Sequence, residues 1–292
     1  MKYYIVGKKI KEGNLNSDSE KGNLNEYFEL GWEYISSHLH IKHLFFNKLI
    51  KEDDIIVTLN DRMFFYSGFC NNVISYEDFE KMEKNNLQII DICNEIQKNQ
   101  IYYLPKITFG GKYENWEKEK DIITNINYKN VNYLGIQKDF CCLHIRYRKW
   151  APFRNFSEDF WKKIIKEIEL SGLKIFVFGK EAEKFCSNKN IIHVGLQEYA
   201  SLLNNEKCKF LIGNMSGGTL VAQLFSNINC KNYVIIGDMQ TYSEFMTMNS
   251  YRVFYHIKEM NFSNAPISYV TTLDSVCWED FITVEKMLNE IK

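Results

Sequence analysis

The chain has 292 residues, 36 basic against 37 acidic side chains and a net charge of −1, with 45% hydrophobic and 25% charged residues. With 15% aromatics and only 3 prolines, it has ample apolar surface to offset the entropy of ordering, which excludes a disordered chain. The near-neutral balance argues against a nucleic-acid partner, because phosphate-backbone affinity needs a basic excess or a basic face. The length fits two domains at one core per roughly 150 residues.

The pattern along the chain predicts two α/β halves. Tyr3 to Val6 reads as a strand. Lys8, Lys9 and Lys11 follow it, the reverse of a secretory signal, whose basic residues come first. A polar loop runs from Lys8 to Asn25, and an amphipathic helix from Glu26 to His38 puts Tyr27, Leu30, Tyr34 and Ile35 on one face. Asp54 to Leu59 and Asn72 to Ile74 are expected strands, which makes the first half a small parallel α/β domain. The segment Leu104 to Lys138, with Pro105, Gly110, Gly111 and a charged run, holds the interdomain region. We divide the chain into a first domain, 1–125, and a second domain, 126–292.

The second half alternates regularly. Phe140 to Ile145 is a strand, and Ser157 caps a helix with Glu158 and Asp159 in its first turn. Phe160, Trp161, Ile164, Ile165 and Ile168 line one face of that helix, and Gly172 suits its left-handed end. Strands follow at Lys174 to Gly179, Ile191 to Val194, Phe210 to Gly213 and Tyr233 to Gly237. Helices are expected at Leu196 to Asn204, Thr219 to Phe225 and Trp278 to Ile291, the last free to pack back on the first domain. The sum is a doubly wound open sheet. No apolar run approaches the ~20 residues needed to span a bilayer. The eight cysteines, spread out with no CxxC pair, read as reduced thiols of a cytoplasmic protein.

In such a sheet, ligands bind beyond the carboxyl ends of the strands, so the residues after each apolar run are the candidate site. Of five arginines, Arg146, Arg148 and Arg154 fall within nine residues, in and just after His144-Ile145-Arg146-Tyr147-Arg148-Lys149-Trp150. A guanidinium fork matches a phosphate bidentately, and we prefer that reading to a solvated basic patch. Gly179 and Lys180 end the next strand, where glycine permits close approach of a ligand. Glu198 opens a helix, placed either to contact a ribose or to face solvent. Gly213-Asn214-Met215-Ser216-Gly217-Gly218-Thr219 is a glycine-rich turn from a strand into a helix, an anion cradle with Ser216 and Thr219 as hydroxyl donors, or else a tight turn without a ligand. It is neither a P-loop nor a dinucleotide fingerprint. His38, His40 and His43 do not share one helix face, so no metal site is expected.

The HxR strand end, the capped helix, the apolar strand ending in Phe-Gly, VGLQEYASLL and GNMSGG together resemble the C-terminal nucleotide-sugar domain of GT-B glycosyltransferases. The resemblance covers about Phe140 to Asp238. HIRYRKW is similar to the donor-phosphate motif of the fucosyltransferase-like group, and the turn resembles GNxSG of the heptosyltransferase-like group. An RGD-like sequence expected after the HxR is missing here.

The resemblance implies two Rossmann-like domains facing each other across a cleft. Its donor would be a nucleoside-diphosphate sugar, GDP-sugar favoured, and its acceptor a glycan or lipid-linked molecule, in surface polysaccharide or glycoconjugate synthesis. It implies inverting transfer without a metal or other cofactor, Arg146 neutralising the leaving diphosphate, and Arg148, Lys149, Asn214, Ser216, Gly217, Gly218 and Thr219 assisting. A base from the first domain is required. Asp61, after the strand Ile55 to Leu59, is the candidate, although it could equally cap a helix beside Arg62. Asp18, Glu20 and Glu26 are further carboxylates in that domain. Peripheral membrane contact stays open. The runner-up is an enzyme resembling polysaccharide pyruvyltransferases, suggested by GNLNEYFELGW, and a non-catalytic nucleotide-sugar-binding relative is the third reading.

Overall fold

The computed structural model describes residues 1–7, 37–92, 95, 136–147, 155–186, 189–214, 216–219, 225–236, 267–271 and 281–292. The chain divides into two compact units, Met1–Asn130 and Val131–Lys292, and both are Rossmann-like. The loop expected at Lys8 to Asn25, most of the helix Glu26 to His38 and nearly all of Leu104 to Lys138 lie outside the described residues.

In the first unit, β1 (Lys2–Ile5), β2 (Ile55–Thr58), β3 (Val73–Ser75) and β4 (Gln88–Asp91) form a parallel sheet in the order β3-β2-β1-β4. Among the described residues the helices between them are α1 (Leu39–Phe46), α2 (Phe64–Ser67) and α3 (Tyr76–Glu80), the last capped by Ser75, whose Oγ accepts from Asp78 N at 3.0 Å. Tyr3, Ile5, Val57 and Phe79 make a compact core on one face of the sheet. The alternation of the sequence does not reveal β4, a short strand with Gln88 and Ile89 exposed.

The second unit carries a seven-stranded sheet, all of whose pairings are parallel. Its strands are β5 (Phe140–His144), β6 (Lys174–Phe178), β7 (Ile191–His193), β8 (Cys208–Asn214), β9 (Lys231–Ile236), β10 (Ile267–Thr271) and β11 (Phe281–Thr283). The order is β11-β10-β9-β8-β5-β6-β7. β5 is buried at every residue, as a strand covered on both faces must be, which is why its sequence shows no alternation. α4 (Glu158–Leu170) buries Trp161, Ile164, Ile165 and Ile168. Ser157 Oγ accepts from Phe160 N at 3.1 Å at its start, and Gly172 at φ +76° closes it, a backbone angle that favours glycine. α5 (Leu196–Asn204) keeps the expected bounds.

The C-terminus departs from expectation. A single helix from Trp278 fails because Phe281–Thr283 pairs with β10 as an edge strand, and α6 (Val284–Ile291) begins only after Thr283, whose Oγ1 accepts from Lys286 N. α6 packs on the sheet and helix of its own unit. Met287 and Leu288 belong to the core built on β5, β6 and α4. Glu290 takes an ion pair from Lys231 and a 2.9 Å hydrogen bond from Tyr233 on β9, and Lys231 first of all holds its carboxyl below the ordinary value.

The described cysteines are free, and all but Cys186 are buried. Burial pushes the Cys141, Cys142 and Cys208 thiols up, holding them protonated. Among the described residues no helix is long and apolar enough to cross a membrane.

Candidate donor site at the strand reversal

Chain order within the second sheet reverses between β5 and β8. β6 and β7 follow β5 to one side, and β8 to β11 run to the other. That reversal is where an open α/β sheet splays its loops and binds ligands, and the expected motifs end β5 and β8 there.

His144 ends β5 in register with Phe178 on β6 and Gly213 on β8. Arg146 follows two residues on, on the same side of the extended chain. Its backbone N donates to Asn214 Oδ1 at 2.8 Å, and its guanidinium Nη1 donates to Asn155 Oδ1 at 2.7 Å. The HxR end and the glycine turn are therefore tied by a buried hydrogen bond. Arg146 is only 2% exposed, where the low dielectric strengthens its attraction for an anion well beyond that of a solvated lysine. Arg148, Lys149 and Arg154 lie outside the described residues, as does the side chain of Lys180.

The turn is built by its own hydroxyl. Thr219 Oγ1 accepts from Ser216 N at 3.1 Å and shares its proton between Asn214 O at 2.9 Å and Ser216 O at 2.8 Å. At 1% exposure Thr219 shapes the turn from within. Ser216 Oγ lies 2.5 Å from His144 Nε2. Gly213 and Gly218 are required by proximity: a Cβ on Gly213 would fall 2.9 Å from His144 Cβ, and one on Gly218 2.5 to 2.6 Å from three atoms of the His144 ring. Gly217 is half-buried in the same turn.

Gly179 adopts φ +131° beside Ile145 O, so the backbone of β6 closes on that of β5 where a side chain would collide. His193 on β7 bonds the Gly179 carbonyl at 2.9 Å. Glu198 is exposed at the start of α5 and accepts from Gly195 N at 3.0 Å, so one carboxylate oxygen serves as a helix cap.

Three aromatic groups pack beneath the site. Phe178 stacks on Tyr199 at 4.6 Å and on His144 at 5.4 Å between ring centroids. Sequence alone marks His144 only as part of the HxR motif and does not single out Asn155, Phe178 or Tyr199. The signal for His144 was the i, i+2 spacing to Arg146, which puts both on one side of a strand.

In the first unit, Asp61 lies in the turn Asn60–Arg62 just past β2, its side chain 64% exposed and 3.9 Å from Arg62 Nε. Asp91 closes β4 in register with Ile5, at that sheet's own reversal between β1 and β4. His38 and His40 are buried at α1, while His43 bonds Asn47 in its last turn. Among the described residues no group of three histidine, cysteine or acidic side chains could hold a metal.

No protein-family model and no curated protein matches the chain. Solved structures do. The ADP-heptose lipopolysaccharide heptosyltransferase II of E. coli is similar at 11% identity over 100% of this chain and 97% of that one, with a TM-score of 0.48. The iron-containing dodecameric glycosyltransferase TibC of enterotoxigenic E. coli H10407 is similar at 11% identity over 80% of this chain and 59% of its own, with a TM-score of 0.42. TibC in complex with ADP-D-beta-D-heptose gives 11% identity, 85% and 60% coverage, and a TM-score of 0.43.

Proposed function

We propose that the protein is a glycosyltransferase of the GT-B kind that moves a sugar from a nucleoside-diphosphate donor to a glycan or lipid-linked acceptor. The observation that carries this reading is the meeting of the HxR strand end and the glycine turn at the reversal of the second sheet, joined through Arg146 N and Asn214 Oδ1. A diphosphate there accepts from Arg146 and from the turn's backbone N–H groups, so charge developing on the leaving group is stabilised by donors already in place. Asp61 is the proposed base for the acceptor hydroxyl. Transfer is inverting and independent of metal, with a GDP-sugar as the first donor to test, and it serves surface polysaccharide or glycoconjugate synthesis in the cytoplasm.

The test is calorimetry with GDP-, UDP- and ADP-sugars and with phosphoenolpyruvate, followed by transfer assays with and without EDTA. Binding of one nucleotide sugar and EDTA-resistant transfer are expected. Binding of phosphoenolpyruvate and no nucleotide would sink the proposal in favour of a pyruvyltransferase-like enzyme. Donor binding without transfer would point to a non-catalytic relative.

A further inference from the structure

The hydrogen bonds of His144 fix its proton. Nδ1 lies 3.2 Å from Phe178 O, and a carbonyl only accepts, so Nδ1 carries the hydrogen. In the neutral ring Nε2 is then a bare acceptor, and Ser216, 2.5 Å away, must point its hydroxyl proton at it. The ring cannot turn to escape this. Gly218 lies against one side at a spacing that leaves no room even for a methyl group, and Phe178 stacks on the ring. In this state Ser216 offers an incoming anion only lone pairs. When His144 gains a second proton, Nε2–H donates to Ser216 Oγ, and the hydroxyl proton is released to point elsewhere.

We propose that His144 is a proton-coupled positioning residue: uptake of a proton from solvent turns Ser216 from a lone-pair acceptor into a hydroxyl donor for a bound diphosphate. The inference rests on the donor-site reading above and adds a regulation to it. Among the described residues, the neutral groups packed on His144 include the Phe178 carbonyl and ring from β6, Gly213 from β8, Ser216 and Gly218 from the turn, and Tyr199 from α5. Burial first, then Cys142, Cys230 and Cys208, push the Tyr199 phenol well above its ordinary value, so it stays uncharged. Arg146, two residues along, is one cation of the same strand end and repels a positive charge on His144. A diphosphate between them cancels that repulsion, so anion binding and proton uptake favour each other.

The test uses the full chain, inorganic pyrophosphate and GDP. Histidine-selective nitrogen NMR, with the His144 signal identified by its loss in His144→Gln, should show the Nδ1–H tautomer in the free protein and a doubly protonated ring at saturating pyrophosphate. Calorimetry across pH should show binding tightening by up to about tenfold per pH unit on acidification relative to His144→Gln. The ligand's own titration is common to both proteins and cancels. Ser216→Ala, which guards against a misfolded His144 variant, should keep anion binding and lose the pH-dependent gain. An Nε2–H tautomer in the free protein would overturn the proposal, as would equal pH profiles for wild type and His144→Gln. A full gain retained in Ser216→Ala would show that the imidazolium charge acts without the hydroxyl, and would also overturn it. If neither pyrophosphate nor GDP binds at any pH, the donor site falls and the coupling with it. Binding with an unchanged His144 ring removes the coupling alone.

Discussion

Replacing Gly218 with alanine would drive a methyl group into the His144 ring, 2.5 Å from Cε1 and 2.6 Å from Nδ1 and Nε2. Ordinary carbon contacts are 3.5 to 4 Å, so about 1 Å of movement is needed. The ring cannot supply it freely, being bonded at both nitrogens and stacked on Phe178. Overpacking of this kind costs about 1–3 kcal/mol, and losing the His144–Ser216 hydrogen bond adds about 1 kcal/mol. At about 2–4 °C per kcal/mol for a unit of this size, Gly218→Ala should lower the melting temperature by roughly 4–16 °C and weaken nucleotide binding. Gly195→Ala is the comparison, since a Cβ there meets Glu198 Oε2 at an ordinary 3.8 Å. Differential scanning fluorimetry of both variants gives the answer. A Gly218→Ala protein that melts with the wild type and binds nucleotide equally well would refute the packing of His144 against the turn.

Asn214→Ala leaves the buried Arg146 N–H without its acceptor and should cost about 1–3 kcal/mol in denaturant unfolding; Asn214→Asp should restore stability but not diphosphate affinity, because it sets a carboxylate beside the anion. Asp61→Asn should lower kcat by at least about a hundredfold with little change in donor Kd, and Asp91→Asn measured beside it would reassign the base if it alone loses turnover. Burial lowers the His40 pKa to about 4, so between pH 4 and the ordinary 6.5 the unfolded chain binds the extra proton. Stability from this group is complete above about pH 6.5, falls by up to about 3 kcal/mol as the pH drops toward 4, and levels off below. Urea unfolding of His40→Gln at pH 7 and pH 4.5 should show a shallower acid loss than wild type, and parallel losses would contradict this.

The second sheet was legible because its strands are buried on both faces. Runs such as FCCLH and KIFVF can only be central parallel strands when capped helices separate them, and Ser157 and Gly172 marked the ends of one such helix. What escaped was β10 and two edge strands. β4 and β11 are short, and β11 runs directly into α6 without a break in the apolar pattern, so periodicity alone read strand and helix as one. At the site, sequence located the strand ends but not the direction of the hydrogen bonds. Thr219 and Ser216 are equally hydroxyl-bearing in sequence, yet one is enclosed in its own turn and the other faces a histidine. Nor does the sequence show that one carboxylate oxygen of Glu198 accepts from Gly195 N–H. Such pairings depend on which strand lies beside which, a property of the folded sheet.

On the proposed function, the reversal between β5 and β8 would hold a nucleoside diphosphate through Arg146. Isothermal titration of wild type and Arg146→Ala with GDP, UDP and ADP tests it most directly. At least one nucleotide should bind the wild type, and its affinity should fall by about 1.5–3 kcal/mol in the variant, the value of a charge-assisted hydrogen bond. Equal affinity in the two proteins, or binding of phosphoenolpyruvate with no nucleotide, would contradict it.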